Sequence, residues 1–399
     1  VNGDTLYTLV ALVPKQHVNN SNFEKFFNDF RITKEIQPTI YSNKSKLLFE
    51  ALKTQDSVEF EKAFSVLGTV EFSREDLLVL HDALMQKYIT TGNVYTTVHY
   101  KISAALENLA DESTVDFISK NYNQLNGDNE EVKYTVLKVL ANIKTSEAFQ
   151  VLKKLMLTYP PQKGQDYGLA YALKDSLELT RTLYPEILVL TKDSLFNETF
   201  VDVTCALLDS GLLSINDVLP YKANFLKQAR ESLKQMKQDD EYWWSYWEWI
   251  RFVGKFNDKE SNDFLKLFLD VKDIDVRYSA VVALLKNNQA VSTAQIEKLA
   301  AENNYSKNLY AELKKLNKLT LFPAKYASQI KVAESEIYQN VSDEESPTSV
   351  IYIGERTAEF MGTKQKFLLF KITFAGEDYE SSYLGVTGPY TIGSKEIVT

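Results

Sequence analysis

The stretch best suited to binding chemistry is a cluster of aromatic residues near position 246. All 4 tryptophans of the chain lie in it, and its candidate partner-binding residues are Tyr242, Trp243, Trp244, Tyr246, Trp247 and Trp249. On a helix, Trp243, Tyr246 and Trp247 share one side and Trp249 does not, so the rings cannot all point the same way. We therefore expect one set to enter the core and another to be partly exposed, where aromatic rings often bind partners. The alternative is that all of them fill a wide gap in the core.

Other residues that could carry out chemistry lack the partners that they would need. The histidines His17, His81 and His99 are far apart and have no ligand at metal-site spacing, so no metal site is predicted. The acidic run 239–241 fits the positive end of a helix dipole better than an acid–base pair. Residues 385–389 resemble a phosphate loop, but no helix follows them, and a turn between strands explains them better. We expect no catalytic residue, no cofactor and no enzyme activity in this chain.

Composition narrows the classes of partner. The 399 residues carry a net charge of −9 from 54 acidic and 45 basic side chains, with both signs interleaved, which disfavours nucleic acid as a partner. No apolar run approaches the ~18 residues of a membrane span. The lone cysteine, Cys205, can form no intrachain disulfide and is expected to be a buried apolar residue. Few cysteines fit both the cytosol and a bacterial exported protein, so composition leaves the compartment open.

A repeated motif indicates the elements that position these residues. In three places a valine, a basic or imidazole residue and a tyrosine stand eight positions before a leucine; these are Val98-His99-Tyr100 with Leu106, Val132-Lys133-Tyr134 with Leu140, and Val276-Arg277-Tyr278 with Leu284. The first two copies are about 34 residues apart, and the third follows after about four further periods of 36, which is typical of stacked helical hairpins.

The pattern between residues 43 and 340 predicts helices almost without interruption, apart from an irregular stretch between 160 and 237 that begins with a Pro-Pro-Gln-Lys-Gly breaker. The predicted helices span residues 44–53, 57–67, 74–89, 94–109, 113–125, 130–143, 146–158, 241–256, 261–269, 276–286, 293–302 and 305–319.

The spacing resembles that of the HEAT and armadillo class of helical repeats over residues 44–319. HEAT-type repeats often begin a helix with an acidic residue, valine and arginine, followed by alanine and leucine. The residues that match this pattern are Asp275, Val276, Arg277, Ala280, Ala283 and Leu284. The resemblance implies an α-solenoid, a scaffold with an extended surface and few pockets.

Both ends of the chain differ from its middle. Residues 6–13 read as a buried strand, and a helix capped by Ser21 follows, with Phe23, Phe27 and Phe30 on one face. One strand and one helix cannot close a core, so we expect residues 1–32 to be the end of an α/β domain that lies upstream. This segment resembles closing elements of small domains in exported proteins, which favours an exported or cell-envelope location over the cytoplasm.

The tail after an acidic connector at 342–348 predicts an antiparallel meander. Its expected strands are 349–353, 359–361, 366–374 and 383–386 with 390–392, and its expected turns are 362–365 and 375–378. This tail should pack against the last helices as a cap.

The predicted fold class is therefore mainly α, an α-α superhelix with an N-terminal strand-helix segment and a small C-terminal antiparallel β-meander. The predicted domains are 1–40, 41–340 and 341–399.

Three functions are compatible with this organisation. The first is a non-catalytic scaffold that binds a protein or peptide, because solenoids offer extended surfaces. The second is an accessory region of a larger enzyme whose active site lies upstream of Val1. The third is a carbohydrate or small-ligand binder that uses exposed rings between Trp243 and Trp249.

Overall fold

The chain is mainly helical and ends in a small antiparallel sheet. The computed structural model describes residues 8, 21–31, 43–88, 97–125, 130–162, 167–236, 246–340, 347–375 and 380–399. Within these residues it contains 19 α-helices, one sheet of three strands and several 3₁₀ turns. The predicted fold class, mainly α with a C-terminal β-meander, is confirmed.

The chain divides into two compact units, Val1–Leu183 and Tyr184–Thr399. The helices of the first unit are α1 Ser21–Asp29, α2 Ser45–Ala51, α3 Ser57–Leu67, α4 Leu77–Leu84, α5 Val98–Leu109, α6 Glu112–Asn121, α7 Glu130–Ile143, α8 Ser146–Thr158, α9 Tyr167–Lys174 and α10 Leu177–Arg181. Those of the second unit are α11 Asn197–Asp209, α12 Ile215–Val218, α13 Lys222–Met236, α14 Tyr246–Gly254, α15 Lys259–Lys266, α16 Ile274–Lys286, α17 Thr293–Ala301, α18 Ser306–Lys315 and α19 Gln329–Asn340, followed by the strands β1 Ser349–Phe360, β2 Thr363–Ala375 and β3 Glu380–Tyr390. The predicted boundaries near residues 40 and 340 stay predictions.

Helices of the first unit pack on the helix that follows and on the helix after that one. Thus α5 packs on α7 and α7 on α9, while α6 packs on α8. Polar side chains tie the same neighbours together: His81 bonds Thr114, 33 residues later, and Asn142 donates to Glu107, 35 residues earlier. Helical hairpins stacked at this spacing would give both kinds of contact.

The repeated motif marks core positions. Its valines Val98, Val132 and Val276 are at most 6% exposed, and its leucines Leu106, Leu140 and Leu284 are fully buried. The central basic position contacts the end of a preceding helical segment in two copies. The His99 ring lies 2.8 Å through Nε2 from the carbonyl oxygen of Gln86, and Lys133 lies over the Tyr122 ring. The motif therefore joins consecutive helices instead of forming a binding site.

Side-chain caps explain where many helices begin, because a side-chain oxygen satisfies amides that the first turn leaves free. Asp273 accepts from the amide of Val276, so α16 starts two residues before the predicted Val276. Caps of this kind precede several helices in both units; they are Asp56, Thr97, Asp111, Thr145, Asp258, Asp273 and Ser292.

The region predicted to be irregular has short elements. Between α10 and α11 the chain forms 3₁₀ turns over Glu186–Lys192 and Ser194–Phe196, and α12 has only 4 residues. Helices elsewhere are shorter than predicted: α4 ends at Leu84, and α18 ends at Lys315 before a 3₁₀ turn. Residue 89 of the predicted helix 74–89, residues 94–96 of the predicted helix 94–109 and residues 241–245 of the predicted helix 241–256 lie outside the described residues.

The N-terminal helix is present as α1, and Phe27 and Phe30 on its predicted apolar face are 41% and 40% exposed. The predicted strand at 6–13 lies outside the described residues except for Thr8, and so does His17.

The sheet has strand order β1-β2-β3 with antiparallel pairing throughout. One face packs on α19, where Ile337 joins Val350, Leu368 and Phe370 in an apolar cluster. Gly385 leaves room for side chains on this face, because a Cβ at that position would lie 2.6 Å from Ile372 on β2 and 3.4 Å from Ile337 on α19. The sheet therefore packs against the last helix, as expected for the tail.

The turn between β1 and β2 was predicted wrongly. It consists of Met361 and Gly362, both with positive φ, and Phe360 pairs directly with Thr363. A two-residue turn with both φ values positive matches strand twist, so the residues after Gly362 continue β2. The predicted strands 349–353 and 359–361 are one strand with an irregularity before Gly354, and β3 ends at Tyr390 instead of Ile392. The predicted turn at 375–378 lies largely outside the described residues.

Replacement of the motif leucine in α5 should destabilise the first unit. Leu106→Ala removes a fully buried side chain and should lower the free energy of unfolding by about 2–5 kcal/mol, since the cavity adds to the lost transfer energy. Leu78→Ala on α4 is the matched control, because Leu78 is 77% exposed and its loss should cost less than ~0.5 kcal/mol. Urea unfolding followed by circular dichroism measures both values. Equal effects would contradict the assignment of Leu106 to the core.

Candidate functional site

The described part of the tryptophan segment separates into buried and exposed rings. Tyr246 and Trp249 are 1% and 3% exposed, whereas Trp247 is 42% exposed. This division follows the expectation that one set enters the core and another faces solvent. Tyr242, Trp243 and Trp244 lie outside the described residues, as does the acidic run 239–241.

Tyr246 and Trp249 belong to an aromatic cluster within the second unit. The Trp249 ring lies 6.4 Å from that of Phe225 on α13, edge to face, and Phe225 also contacts Phe252 at 4.6 Å. Tyr246 lies 5.6 Å from Phe268, just after α15. Edge-to-face rings at these distances attract one another in addition to burying apolar area. These two residues therefore hold α14 between its neighbours and present no surface to a partner.

A cleft between α13 and α15 is the candidate binding site, and we call it the α13–α15 cleft. Its volume is about 440 Å³, and it is lined by Arg230, Lys259, Glu260, Asp263, Phe264 and Leu267. Leu267 is 52% exposed, whereas Phe264 is buried. Lys259, Asp263 and Leu267 follow one another at four-residue spacing, which puts them on one helical face.

Trp247 lies at the same end of the α14–α15 hairpin as Leu267. Tyr246 contacts Phe268 across the hairpin, and Trp247 and Leu267 are the chain neighbours of these two rings. Both are partly exposed apolar side chains. Solvent therefore reaches one apolar side chain of the cleft, Leu267, and one ring at the start of α14, Trp247.

Ion pairs fix the charges that line the cleft. Arg230 donates to Glu260 at 3.0 Å, and Asp263 accepts from Lys259 at 2.8 Å and from Lys266 at 2.9 Å. The hydrogen bonds from Lys259 and then Lys266 lower the pKa of Asp263 to about 2, and Arg230 lowers the pKa of Glu260. Carboxylates that stay ionised in this way suit charge recognition better than proton transfer at neutral pH.

No sequence motif indicates the cleft, because its residues come from two helices that are separate in the sequence. Arg230 and Glu260 are 30 residues apart, so their meeting depends on how α13 packs on the α14–α15 hairpin. One local signal was present in the sequence: Lys259, Asp263 and Leu267 form a charged and apolar stripe on α15.

Two of the histidines have structural roles. His81 is 5% exposed, bonds Thr114 at 3.0 Å and stacks on Phe117 at 4.3 Å. Burial lowers the pKa of His81 by more than the negative charges of Asp111 and Asp82 raise it. Burial also lowers the pKa of His99. Each ring therefore favours its neutral form inside the helical packing.

Other candidate groups take up structural positions as well. Cys205 is 2% exposed, and burial raises the pKa of its thiol to about 11, which agrees with the predicted apolar role. Gly385–Pro389 lies within β3, so the turn predicted there is absent. Over the residues that the structure describes, no three His, Cys, Asp or Glu side chains are grouped to hold a metal ion. No helix in the same described ranges is long and apolar enough to cross a bilayer.

No protein-family model matches the chain, and no curated protein matches it. Among solved structures, it is similar to the crystal structure of an engineered protein, at 15% sequence identity and a TM-score of 0.37, over 74% of this chain and 83% of that one. A TM-score this low supports no argument about fold or function.

Mild acid should destabilise the first unit through the buried His81 and the half-buried His99. Because burial lowers both pKa values in the folded state, the unfolded chain binds protons first as the pH falls below about 6.5. The stabilisation is fully present above that pH and is lost at up to ~1.4 kcal/mol per pH unit for each histidine. Urea unfolding at about pH 7.5 and pH 5.5 should show the loss.

The variants His81→Gln and His99→Gln should each reduce this pH dependence, because glutamine does not titrate. Leu78→Ala is the matched control and should keep the full dependence, since Leu78 is exposed. An unfolding free energy that stays constant over the same pH range in the unmodified chain would contradict the lowered pKa values.

Proposed function

We propose that the chain is a non-catalytic interaction module built of HEAT-like helical repeats, and that it binds a protein or peptide partner at the α13–α15 cleft. The observation that carries the proposal is the cleft itself, in which Leu267 is half exposed beside the buried Phe264 and charges of both signs surround them. A partner segment with one apolar anchor side chain and flanking charges suits such a site, because buried anchors supply most binding energy and charges set register.

Packing between hairpins supports the repeat assignment. In the second unit α11 packs on α14 and α14 on α16, as α5 does on α7 in the first unit. The side-chain amide of Asn287, the residue that follows α16, donates to the carbonyl of Gly254, 33 residues earlier. Helical repeats of this length present side chains from successive hairpins on one continuous surface, which is how such proteins bind extended partners.

The charges in the cleft favour a polypeptide over a polyanion. Arg230 and Lys259 are each bonded to a carboxylate, Glu260 and Asp263 respectively. A nucleic-acid backbone is bound by cations that are free to replace its counterions. The carboxylates beside these cations repel a polyanion, whereas a partner that carries both signs of charge can pair with the cations and with the carboxylates.

The other two functions receive less support. A carbohydrate platform needs several exposed rings, and Tyr246 and Trp249 are in the core. The accessory-region hypothesis rests on the N-terminal strand, which lies outside the described residues.

The test is a pull-down from the native source, followed by one variant in the cleft and one at the exposed ring in the first turn of α14. Leu267→Asp and Trp247→Ala should each reduce recovery of the captured polypeptide by about tenfold or more, because an interface anchor contributes ~2 kcal/mol or more. Leu78→Asp, an exposed leucine of the first unit, is the matched control and should retain capture. Circular dichroism confirms that each variant is folded.

The proposal would be contradicted if the unmodified chain captured no polypeptide at all. It would also be contradicted if Leu267→Asp and Trp247→Ala captured the same partner as well as Leu78→Asp does. A partner recovered only as nuclease-sensitive nucleic acid would overturn the choice of a polypeptide.

A further inference from the structure

Residues 394–399, which we call the tail segment, pack on the second unit as an irregular segment that bends at Glu396, where the backbone amide donates to Ser394. Ile397 is its half-buried anchor. It packs against an apolar cluster formed by α16 to α19, whose members include Leu309, Leu313 and Val332. The other residues of the tail segment are exposed. A single half-buried apolar side chain thus packs on the surface where α18 ends and α19 begins, and we call this surface, formed by Lys314, Gln329 and the cluster, the groove.

Polar side chains of the groove bond the backbone of the tail segment at the anchor and at the residue that follows it. The Gln329 amide donates to the carbonyl of Val398 at 3.0 Å, and its own oxygen accepts from the Val398 amide at 2.7 Å. This pair of bonds reproduces what a neighbouring β-strand would offer to an extended chain. Gln329 therefore holds one residue of an extended peptide whatever that residue's side chain is.

Lys314 supplies the preference for an acidic side chain. Its ammonium group lies 2.7 Å from the Glu396 carboxylate and 3.5 Å from the carbonyl oxygen of Ile397. Lys314 is on the last turn of α18, where a cation is favoured by the helix dipole. Lys314 thus contacts an acidic residue, the apolar cluster contacts an aliphatic residue, and Gln329 contacts the backbone of the residue that follows.

Most of the surface of the tail segment remains exposed to solvent, although specific bonds hold it. Glu396 is 71% exposed and Val398 50% exposed, so solvent competes for its ion pair and most of its surface is not buried. Its occupation of the groove relies on the tether, which raises its local concentration. Another segment of the same chemistry can therefore compete for the groove.

We propose that the groove formed by Lys314, Gln329 and the apolar cluster of α16 to α19 is a docking site for a peptide segment of a partner protein. This segment carries an acidic residue followed by an aliphatic one. The tail segment occupies this site in cis and competes with the partner. The site is separate from the α13–α15 cleft, so the failure of either proposal leaves the other intact.

The test uses the full chain and a fluorescein-labelled peptide with the sequence of the tail segment, Ser-Lys-Glu-Ile-Val-Thr. The variant Ile397→Asp should release the tail segment, because the anchor position is apolar. It should bind the peptide on the order of tenfold more tightly than the unmodified chain does. Val398→Pro, which removes the amide that donates to Gln329, should act in the same way. Fluorescence anisotropy measures the binding.

Matched controls isolate the groove. Ile392→Asp changes an exposed isoleucine that precedes the tail segment and should bind the peptide no better than the unmodified chain. In the Ile397→Asp background, Gln329→Ala should abolish the gain, whereas Gln339→Ala, at the other end of α19, should preserve it. A peptide with lysine in place of its glutamate should bind more weakly.

Two results would overturn the proposal. One is that the peptide binds the Ile397→Asp and Val398→Pro variants no better than it binds the unmodified chain. The other is that its binding to the Ile397→Asp variant is unaffected by Gln329→Ala. Circular dichroism must show that the variants retain the helical content of the unmodified chain.

Discussion

The hydrogen-bonding needs of helix ends constrain how these hairpins pack. The last turn of a helix leaves carbonyl groups without partners in the helix. Where such an end is buried against a neighbour, an unpaired carbonyl costs about 1–3 kcal/mol. The end of α14 shows the solution in this chain: Asn287, at the end of α16, donates to the carbonyl of Gly254 at 2.8 Å and to Asn262 at 2.8 Å. One buried amide thus joins α14, α15 and α16.

The same solution recurs later in the second unit. Side chains from a following hairpin donate to carbonyls at or just beyond the end of an earlier helix. Lys318 donates to Leu285 in the last turn of α16, and Ser335 and Gln339 donate to Asn303 and Asn304 in the turn after α17. These partners are 32 to 35 residues apart, close to the period of the sequence motif. The repeat length and the polar bonding are therefore linked, since a change in hairpin length would move each donor away from its carbonyl.

Local signals made the helices predictable from sequence. The bounds of α3, α7 and α8 follow from their apolar spacing, and for α3 and α8 also from a side-chain cap. The valines and leucines of the motif were identified as packing residues because their spacing places them on one helical face. The β1–β2 turn was misplaced because Met361, a residue that seldom adopts positive φ, occupies the first turn position.

Sites that depend on packing between distant segments could not be predicted. The α13–α15 cleft needs Arg230 and Glu260 to meet across 30 residues, and the groove for the tail segment needs Lys314 to meet Glu396 across 82. Sequence periodicity gives the face of each helix but not which neighbour covers it. The tryptophan segment illustrates the same limit, because composition marked it for binding while packing put Trp249 in the core.

A double-mutant cycle on Asn262 and Asn287 tests the central claim most directly, because both side chains are buried, at 4% and 9% exposed, and bonded to each other. Asn287→Ala should lower the free energy of unfolding by more than Asn262→Ala does, because it also leaves the Gly254 carbonyl unpaired. The two losses should also be non-additive by about 0.5–3 kcal/mol. Equal losses that add within ~0.3 kcal/mol would contradict the claim that side-chain bonding of helix ends holds consecutive hairpins together.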